Sequence, residues 1–212
     1  MKKQQFGYTL VELSVVLALA GIVALGSVAG AMSLIDQQRI NEFSAQNTDA
    51  IKRINDTYAQ LPSYNGLSLR QAVSFGAFSQ FIINQRATDN VTVTHPFGGA
   101  VGVAPVNGPT PLAWGLYLNA IPASHCIDLL FRSAPASDAL VVFPGGMSNP
   151  VDWRGQIRLD ASVPAIAIDG GLGGAGPLIA KNLTTNLSPD SLSRVCNLAG
   201  NRFGVLLLKS KL

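Results

Sequence analysis

The chain has 212 residues, a formal net charge of +3 and only 13% charged residues. That length allows one ordinary domain with its own core and one additional segment. Lys2 and Lys3 lie within the first seven residues, and without them 13 basic residues stand against 12 acidic ones. A nearly neutral chain lacks the basic surface that binding to phosphate backbones requires, so we expect no nucleic acid as a specific ligand.

An apolar run begins near the N-terminus, in the stretch FGYTLVELSVVLALAGIVALGSVAG at positions 6–30. The 23 residues at 13–35 contain no charge, and a membrane span needs about 20 residues. One acid, Glu12, stands at the start of this run. A charged side chain costs about 2.5–3.5 kcal/mol at the centre of a bilayer and less near its interface, so the position of this acid requires an explanation.

Three interpretations of residues 1–35 are open on these observations. A secretory signal peptide explains the basic start and the small residues at 29–31, but its apolar region usually has about 7–15 residues and would not contain Glu12. A plain membrane anchor explains the length and treats Glu12 as a tolerated interfacial acid. The third interpretation also uses Gly7, which lies directly before the run.

The hexapeptide GYTLVE at positions 7–12 resembles the type IV prepilin motif, in which Glu is the fifth residue after a glycine. In that family a membrane-embedded peptidase cleaves after the glycine on the cytoplasmic side and methylates the new amino terminus. The resemblance implies a cut between Gly7 and Tyr8 and an N-methylated Tyr8. A leader at 1–7 would be removed, and the apolar segment would be retained.

Cleavage at this point would explain why an acid, Glu12, lies at the start of the apolar run. It would create an ammonium group at Tyr8, one helical turn from the Glu12 carboxylate, so the two groups can pair within one chain. In a filament, Glu12 can instead meet the amino terminus of a neighbouring subunit as that subunit docks. An unpaired carboxylate among packed apolar helices is strongly unfavourable, so we predict that Glu12 sets the axial register of assembly.

The helical pattern continues beyond the apolar run. Apolar residues follow at broadly helical spacing with charged residues between them, until Pro62 ends the pattern. We therefore expect one helix over 8–61, with a transmembrane and filament-core part at 8–35 and an amphipathic continuation at 36–61. The apolar positions of the continuation are Ile40, Phe43, Ile51, Ile54, Tyr58 and Leu61.

Beyond Pro62, in the predicted head domain at 62–212, the sequence indicates short elements separated by turns. Further helices are expected from Ser68 to about Gly76, over 78–83, from Pro122 through Leu129, and from Ser188 toward Cys196. Strands are expected within 95–105, 111–121, 139–143, 156–159, 164–168 and 202–208. Together these elements predict an α+β fold in which a long N-terminal helix packs on a globular domain with an antiparallel sheet.

Two segments of this domain, AWGLYLNAIPASHC at 113–126 and LSPDSLSRVCN at 187–197, resemble the type IVb subclass of pilins. That resemblance implies a disulfide between Cys126 and Cys196 that encloses a large exposed region, 126–196. These are the only two cysteines in the chain, and an exported domain with an even number of cysteines is typical of an oxidising compartment. A pair of buried free thiols is the alternative.

No arrangement of residues predicts catalysis or metal binding. His95 and His125 are the only histidines, and neither has the spacing of a metal ligand set. The glycine-rich stretch at 169–174 lacks the Gly-Lys-Ser/Thr of a phosphate-binding loop, so we expect a surface loop there. We therefore expect no enzyme and no cofactor.

The resemblance implies a structural function, the repeating subunit of a type IVb-like pilus for adhesion, aggregation or conjugation. The implied partners are further pilin subunits, prepilin peptidase, an inner-membrane assembly platform and, before assembly, the lipid bilayer. The precursor would lie in the bacterial inner membrane with a cytoplasmic N-terminus and a periplasmic domain, before it joins an extracellular pilus. Two alternatives stay open: a minor pilin or type II secretion pseudopilin, and a monomeric membrane-anchored ligand-binding domain.

Overall fold

The computed structural model describes residues 9–84, 90–107, 110–160, 165–168 and 176–211. The chain separates into two compact units, Met1–Asn41 and Glu42–Leu212, and helix α1 begins in the first unit and ends in the second. The helices are α1 (Leu10–Tyr58), α2 (Leu69–Ser74), α3 (Cys126–Ser133) and α4 (Pro189–Leu198), with two 3-10 turns, η1 (Ala123–His125) and η2 (Asp152–Gly155). The strands are β1 (Ile82–Asn84), β2 (Thr92–Thr94), β3 (Ala100–Pro105), β4 (Ala113–Pro122), β5 (Ala139–Pro144), β6 (Ile157–Asp160), β7 (Ala165–Ile168), β8 (Leu178–Lys181) and β9 (Arg202–Ser210).

The described part of the first unit consists of Thr9 and the N-terminal part of α1, in which large apolar side chains such as Leu10, Leu17 and Ile22 are exposed. This is the part of the helix for which the sequence predicts a membrane span. Within the residues that the structure describes, no helix meets the combined length and apolarity of such a span.

In the second unit, α1 buries one face. Phe43, Ile51, Ile54 and Tyr58 are all buried, at the spacing that places them on one side of a helix. The helix ends at Tyr58, three residues earlier than the pattern predicts, and Leu61 is 48% exposed in the turn that follows. Helix α1 therefore extends beyond the apolar run and ends one turn before Leu61.

Seven strands form one antiparallel sheet in the order β1-β2-β3-β4-β9-β5-β8, and β6 and β7 form a separate antiparallel pair. β9 lies between β4 and β5 and pairs with both along most of its length. Long buried strands such as β9 explain the continuous apolar run in the sequence, because both faces of the sheet are covered. The predicted α+β fold with an antiparallel sheet is confirmed.

The two faces of the sheet belong to two separate cores. Leu116 and Val205 point toward the helices and pack in a core with Phe43. Their chain neighbours Tyr117 and Leu206 point to the other face, as the alternation of a strand requires. Each fully buried side chain of this size contributes about 1.5–3 kcal/mol through burial of apolar surface.

Polar contacts attach the end of α1 to the sheet. The Asn55 Oδ1 atom accepts hydrogen bonds from the Trp114 indole nitrogen at 3.0 Å and from the Tyr64 hydroxyl at 3.2 Å. The Lys211 ammonium group donates to the backbone oxygens of Tyr58 and Leu61 and lies over the Tyr64 ring. The Tyr58 carbonyl is the last of α1 and also accepts from the Leu61 N–H at 3.1 Å, so Lys211 adds a charged donor at the C-terminal end of the helix.

One predicted element is wrong. A helix was expected over 78–83, but turns occupy its start and its end belongs to β1, where Ile82 pairs with Thr94 of β2. Phe78 and Phe81 have the i,i+3 spacing of a helix, yet both reach the core from a turn, with their rings 5.2 Å apart. The short strands β2 and β8 and the turn η2 were not predicted. The remaining predicted helices and strands beyond Pro62 are confirmed within a few residues.

Candidate functional site

The residues on either side of the predicted cut, Gly7 and Tyr8, lie outside the described residues. The next residue, Thr9, accepts two hydrogen bonds: its backbone oxygen from the Leu13 N–H at 3.1 Å, and its Oγ1 from the Glu12 N–H at 3.3 Å. Thr9 is therefore the N-cap of α1, and Glu12 occupies the third helical position. This role of Thr9 was not predicted from the sequence, although Thr-x-x-Glu is the capping-box pattern.

Glu12 is exposed in the first turn of α1. A negative charge at this end of a helix interacts favourably with the helix dipole, by about 0.3–1 kcal/mol. The exposed carboxylate is accessible to a group from outside the helix. Its predicted contact with the amino group of Tyr8 involves a residue outside the described set and stays a prediction.

The predicted disulfide between Cys126 and Cys196 is confirmed. It joins the first residue of α3 to the last turn of α4 across a Cα–Cα distance of 5.7 Å and a sequence separation of 70. α4 begins with a reciprocal pair of hydrogen bonds between Ser188 and Ser191, both 3.1 Å long. These bonds satisfy free N–H groups of the first turn and thereby fix where α4 starts.

Part of the region between the cysteines is buried, in contrast to the large exposed region that the resemblance implied. β5 is an interior strand of the sheet, and η2 places the fully buried Trp153 on the face opposite the helices. A side chain at Gly115 would lie 2.9 Å from the Trp153 ring, so a glycine is required beneath it. The region enclosed by the disulfide therefore helps to cover the second face of the sheet. The glycine-rich stretch at 169–174, which was predicted as a surface loop, lies outside the described residues.

The two histidines have structural positions. His95 is completely buried, with its Nε2 atom 2.6 Å from the Asn119 backbone oxygen and its Nδ1 atom accepting from the Phe97 N–H at 3.2 Å. These bonds fit a neutral ring with its proton on Nε2, and burial lowers the pKa of His95 to about 4. His125 packs on the Phe97 ring, with centroids 5.0 Å apart. In the described ranges, no three His, Cys, Asp or Glu side chains are grouped as metal ligands would be.

Comparison with known proteins adds a match at the N-terminus. Residues 2–28 match the family model of the prokaryotic N-terminal methylation motif. The matched residues include Gly7, Tyr8 and Glu12, the three positions that the sequence analysis selected.

Curated relatives extend the similarity beyond this motif. The chain is 30% identical over 128 residues to the major structural subunit of bundle-forming pilus of Escherichia coli O127:H6 (strain E2348/69 / EPEC) and, equally, to that of Escherichia coli O111:H-. Each alignment covers 60% of this chain, and the chain spans 65% of the length of these relatives. Both relatives are named as structural subunits and not as enzymes, in agreement with the expectation that this chain is not an enzyme.

Two solved structures match most of this chain. The type IV b pilin from Salmonella typhi is 11% identical, with a TM-score of 0.49 over 79% of this chain and 97% of that pilin. TcpA, a type IV pilin from Vibrio cholerae El Tor biotype, is 19% identical, with a TM-score of 0.46 over 82% of this chain and 99% of TcpA. The chain thus contains a prokaryotic N-terminal methylation motif and is related in sequence to the major structural subunit of a bundle-forming pilus.

Proposed function

We propose that this protein is the repeating structural subunit of a type IVb-like pilus. The observation that carries this proposal is the methylation motif at residues 2–28. This motif includes the predicted cleavage site between Gly7 and Tyr8, and it includes Glu12, which is predicted to set the axial register of assembly. The similarity to a protein named as a major structural subunit supports a repeating subunit over a minor pilin or a monomeric binding domain.

In this proposal the precursor is inserted in the inner membrane through the apolar run at 8–35, with its leader in the cytoplasm and its head domain in the periplasm. Insertion is supported by the 23 uncharged residues at 13–35, which have the length of a membrane span. Prepilin peptidase removes residues 1–7 and methylates the amino group of Tyr8. The assembly platform then extracts the subunit into an extracellular filament.

Glu12 guides this assembly step in the proposal. As the apolar helix moves from lipid into a bundle of helices, its carboxylate leaves the interfacial water and needs a partner. The new amino terminus of the neighbouring subunit provides the matching charge. Only one axial offset between two helices brings these groups together, so each subunit is added at the same register.

The processing step is tested in the bacterium that makes the protein. We expect N-terminal sequencing and mass spectrometry of the mature chain to find N-methyl-Tyr8 as its first residue. Gly7→Asp should keep the leader attached and abolish surface filaments, because the peptidase needs a small residue before the cut, whereas Gly7→Ala is the matched control and should retain part of the processing. A mature chain that begins near Met32 would contradict the proposal and would favour the alternative interpretation of residues 1–35 as a secretory signal peptide.

Electron microscopy of sheared surface filaments, with mass spectrometry of their main component, separates a repeating subunit from a minor one. We expect this chain to be the most abundant protein of the filament. A filament in which it is present only in trace amounts would instead identify a minor pilin.

A further inference from the structure

Strand β4 contains a bulge whose backbone is strained. The pairing with β9 shifts between Leu118 and Ile121, so Asn119 and Ala120 together lie opposite one residue, Gly204. We call these two residues the β4 bulge. Ala120 has a φ of 53°, in the left-handed region that residues other than glycine rarely adopt. Such a conformation persists only where the surrounding contacts hold the backbone in place.

Two side chains hold the backbone of the β4 bulge. The His95 Nε2 atom donates to the Asn119 backbone oxygen at 2.6 Å, and the Arg202 Nη1 atom donates to the Ala120 backbone oxygen at 3.1 Å. Gly99 packs against the first of these bonds, since a Cβ atom there would lie 1.9 Å from the Asn119 oxygen and 2.3 Å from Nε2 of His95. A titratable ring is therefore one of the supports of a strained backbone.

The Asn119 side chain connects the β4 bulge to the turn that follows β5. Its Oδ1 atom accepts from the Met147 N–H and from the Tyr117 hydroxyl, both at 3.1 Å, and its Nδ2 atom donates to the Met147 backbone oxygen at 2.7 Å. Gly146 lies so close that a Cβ atom there would be 2.3 Å from Oδ1. Met147 lies between the two cysteines, so Asn119 attaches the region enclosed by the disulfide to β4.

His95 has no acceptor for a second proton. Its Nδ1 atom accepts from the Phe97 N–H at 3.2 Å, so a proton on Nδ1 would place two donors against each other. The ring is completely buried, so water does not solvate the new charge in place. Both effects favour movement of the charged ring out of its site, and this movement breaks the bond to the Asn119 backbone oxygen.

The groups around His95 do not compensate its charge. α1 contacts the ring with Phe43 and the turn at 95–98 contacts it with Phe97, with ring centroids 5.1 Å and 6.0 Å away. His125 of η1 lies on the Phe97 ring, with centroids 5.0 Å apart. Burial lowers the pKa of His95 to about 4, and the positive charge of Arg202 contributes in the same direction. No carboxylate of the described residues is among the groups that shift this pKa.

We propose that His95 and the β4 bulge form an acid-sensitive latch for the segment at 144–150. When the charged ring leaves its site, the β4 bulge loses one of its two supports and Ala120 relaxes to a negative φ. Asn119 moves with this backbone, and its side chain releases Met147. The latch lies within the second unit and does not depend on the proposed pilus function.

The direction of the pH dependence follows from the two states of the ring. In the closed latch His95 has a pKa of about 4, whereas a ring outside its site returns toward the ordinary value of 6.5. The open latch therefore binds the proton more tightly, and acid favours it. The ratio of open to closed latch should rise about a hundredfold as the pH falls from 7 to 4 and should not rise much further below pH 4.

Hydrogen exchange of the detergent-solubilised full chain at pH 7 and pH 4 tests the latch, with each rate corrected for the intrinsic effect of pH on exchange. We expect the protection of the Phe97 and Met147 amides to fall together by about a hundredfold. The amides of β9 should stay much better protected than these two, because the sheet remains folded. Equal protection of Met147 and β9 at pH 4 would mean that acid causes global unfolding alone, and would overturn the inference.

Three variants separate the latch from a structural role of the same residues. His95→Gln retains a donor for the Asn119 backbone oxygen and does not titrate, so the acid-dependent fall at Met147 should disappear. His125→Gln is the matched control and should show the same fall as the wild type. Asn119→Ala retains the backbone oxygen and removes the bonds to Met147, so Met147 should be weakly protected at both pH values while Phe97 still responds to acid.

Two further outcomes would overturn the inference. The first is an acid response at Met147 that persists in His95→Gln, and the second is a wild-type response at Phe97 without one at Met147. Ala120→Gly checks the strain, because glycine adopts a positive φ without steric cost. We expect this variant to open severalfold less at both pH values with the same rise on acidification, and more frequent opening would contradict strain at Ala120.

Discussion

Glu12 occupies a position at which two physical effects act on one side chain. As the third residue of α1 it supports the start of the helix, next to the capping Thr9. As a carboxylate near an amino terminus it is also proposed to select the register of assembly. Experiments on Glu12 are informative only if they separate these two effects.

Glu12→Gln provides this separation. Glutamine is accepted at the third position of a capping box, so the helix start is retained while the charge is lost. We expect the subunit to accumulate at a normal level and surface filaments to fall sharply, as measured by immunoblotting and by electron microscopy of sheared material. Thr9→Val is the control, since it removes the capping hydroxyl, worth about 1 kcal/mol, and retains the charge. Normal filaments from Glu12→Gln would mean that the charge has no role in assembly.

His95 makes the stability of the second unit depend on pH. Its pKa is lowered by burial from 6.5 to about 4, with a smaller contribution from Arg202, so an unfolded chain binds the proton at a higher pH than the folded one. The stabilisation is complete above pH 6.5, is lost as the pH falls from 6.5 to 4, and does not fall further below pH 4. The loss is on the order of 3 kcal/mol.

Chemical denaturation of the detergent-solubilised protein between pH 7 and pH 4 measures this loss. Carboxylates titrate in the same range, so the informative quantity is the difference between wild type and His95→Gln, whose amide can still donate to the Asn119 carbonyl. We expect the variant to lose less stability on acidification than the wild type. Equal losses in both proteins would show that His95 does not titrate on unfolding.

Among the larger elements, α3 and α4 depend on each other through the Cys126–Cys196 bond. In the chain-entropy model, closing a loop of this length restricts the unfolded chain by about 4 kcal/mol. A typical domain has only about 5–15 kcal/mol of stability in total. The bond therefore contributes a large share of the stability of the region it encloses.

The double variant Cys126→Ser with Cys196→Ser removes the bond without leaving one reactive thiol. We expect a lower denaturation midpoint, faster proteolysis and few pili. Thiol labelling of the folded wild-type protein without reductant is the companion measurement and should find no free cysteine. Two reactive cysteines, or an unchanged midpoint in the double variant, would contradict the stabilising role.

The elements that the sequence predicts well are those whose signal lies within their own residues. The helical spacing of α1, the apolar run of β9 and the serine caps of α2 and α4 are local patterns, and each is confirmed. β2 and β8 contain only three and four residues and are strands because a neighbouring strand pairs with them. Such a partner is not visible in a short stretch of sequence.

The same distinction applies to the candidate site at the scale of the whole molecule. The motif around Gly7 and Glu12 is predictable because all of its residues lie within one short linear segment, which matches the prokaryotic N-terminal methylation motif. The packing of Trp153 on the second face of the sheet is not predictable from the sequence, because it depends on the contact with Gly115, 38 positions away in the chain.

The place of β9 in the sheet has a consequence for export. β9 follows every other strand of the sheet in the chain, yet it lies between β4 and β5 and pairs with both. In the proposed route of export a subunit crosses the membrane in the order of its sequence, so β4 and β5 would reach the periplasm before β9, each with one edge and much apolar surface uncovered. During that interval the emerging chain is open to pairing with the wrong strand of another subunit. A periplasm crowded with newly exported subunits would therefore favour a chaperone that covers these edges until residues 202–210 arrive.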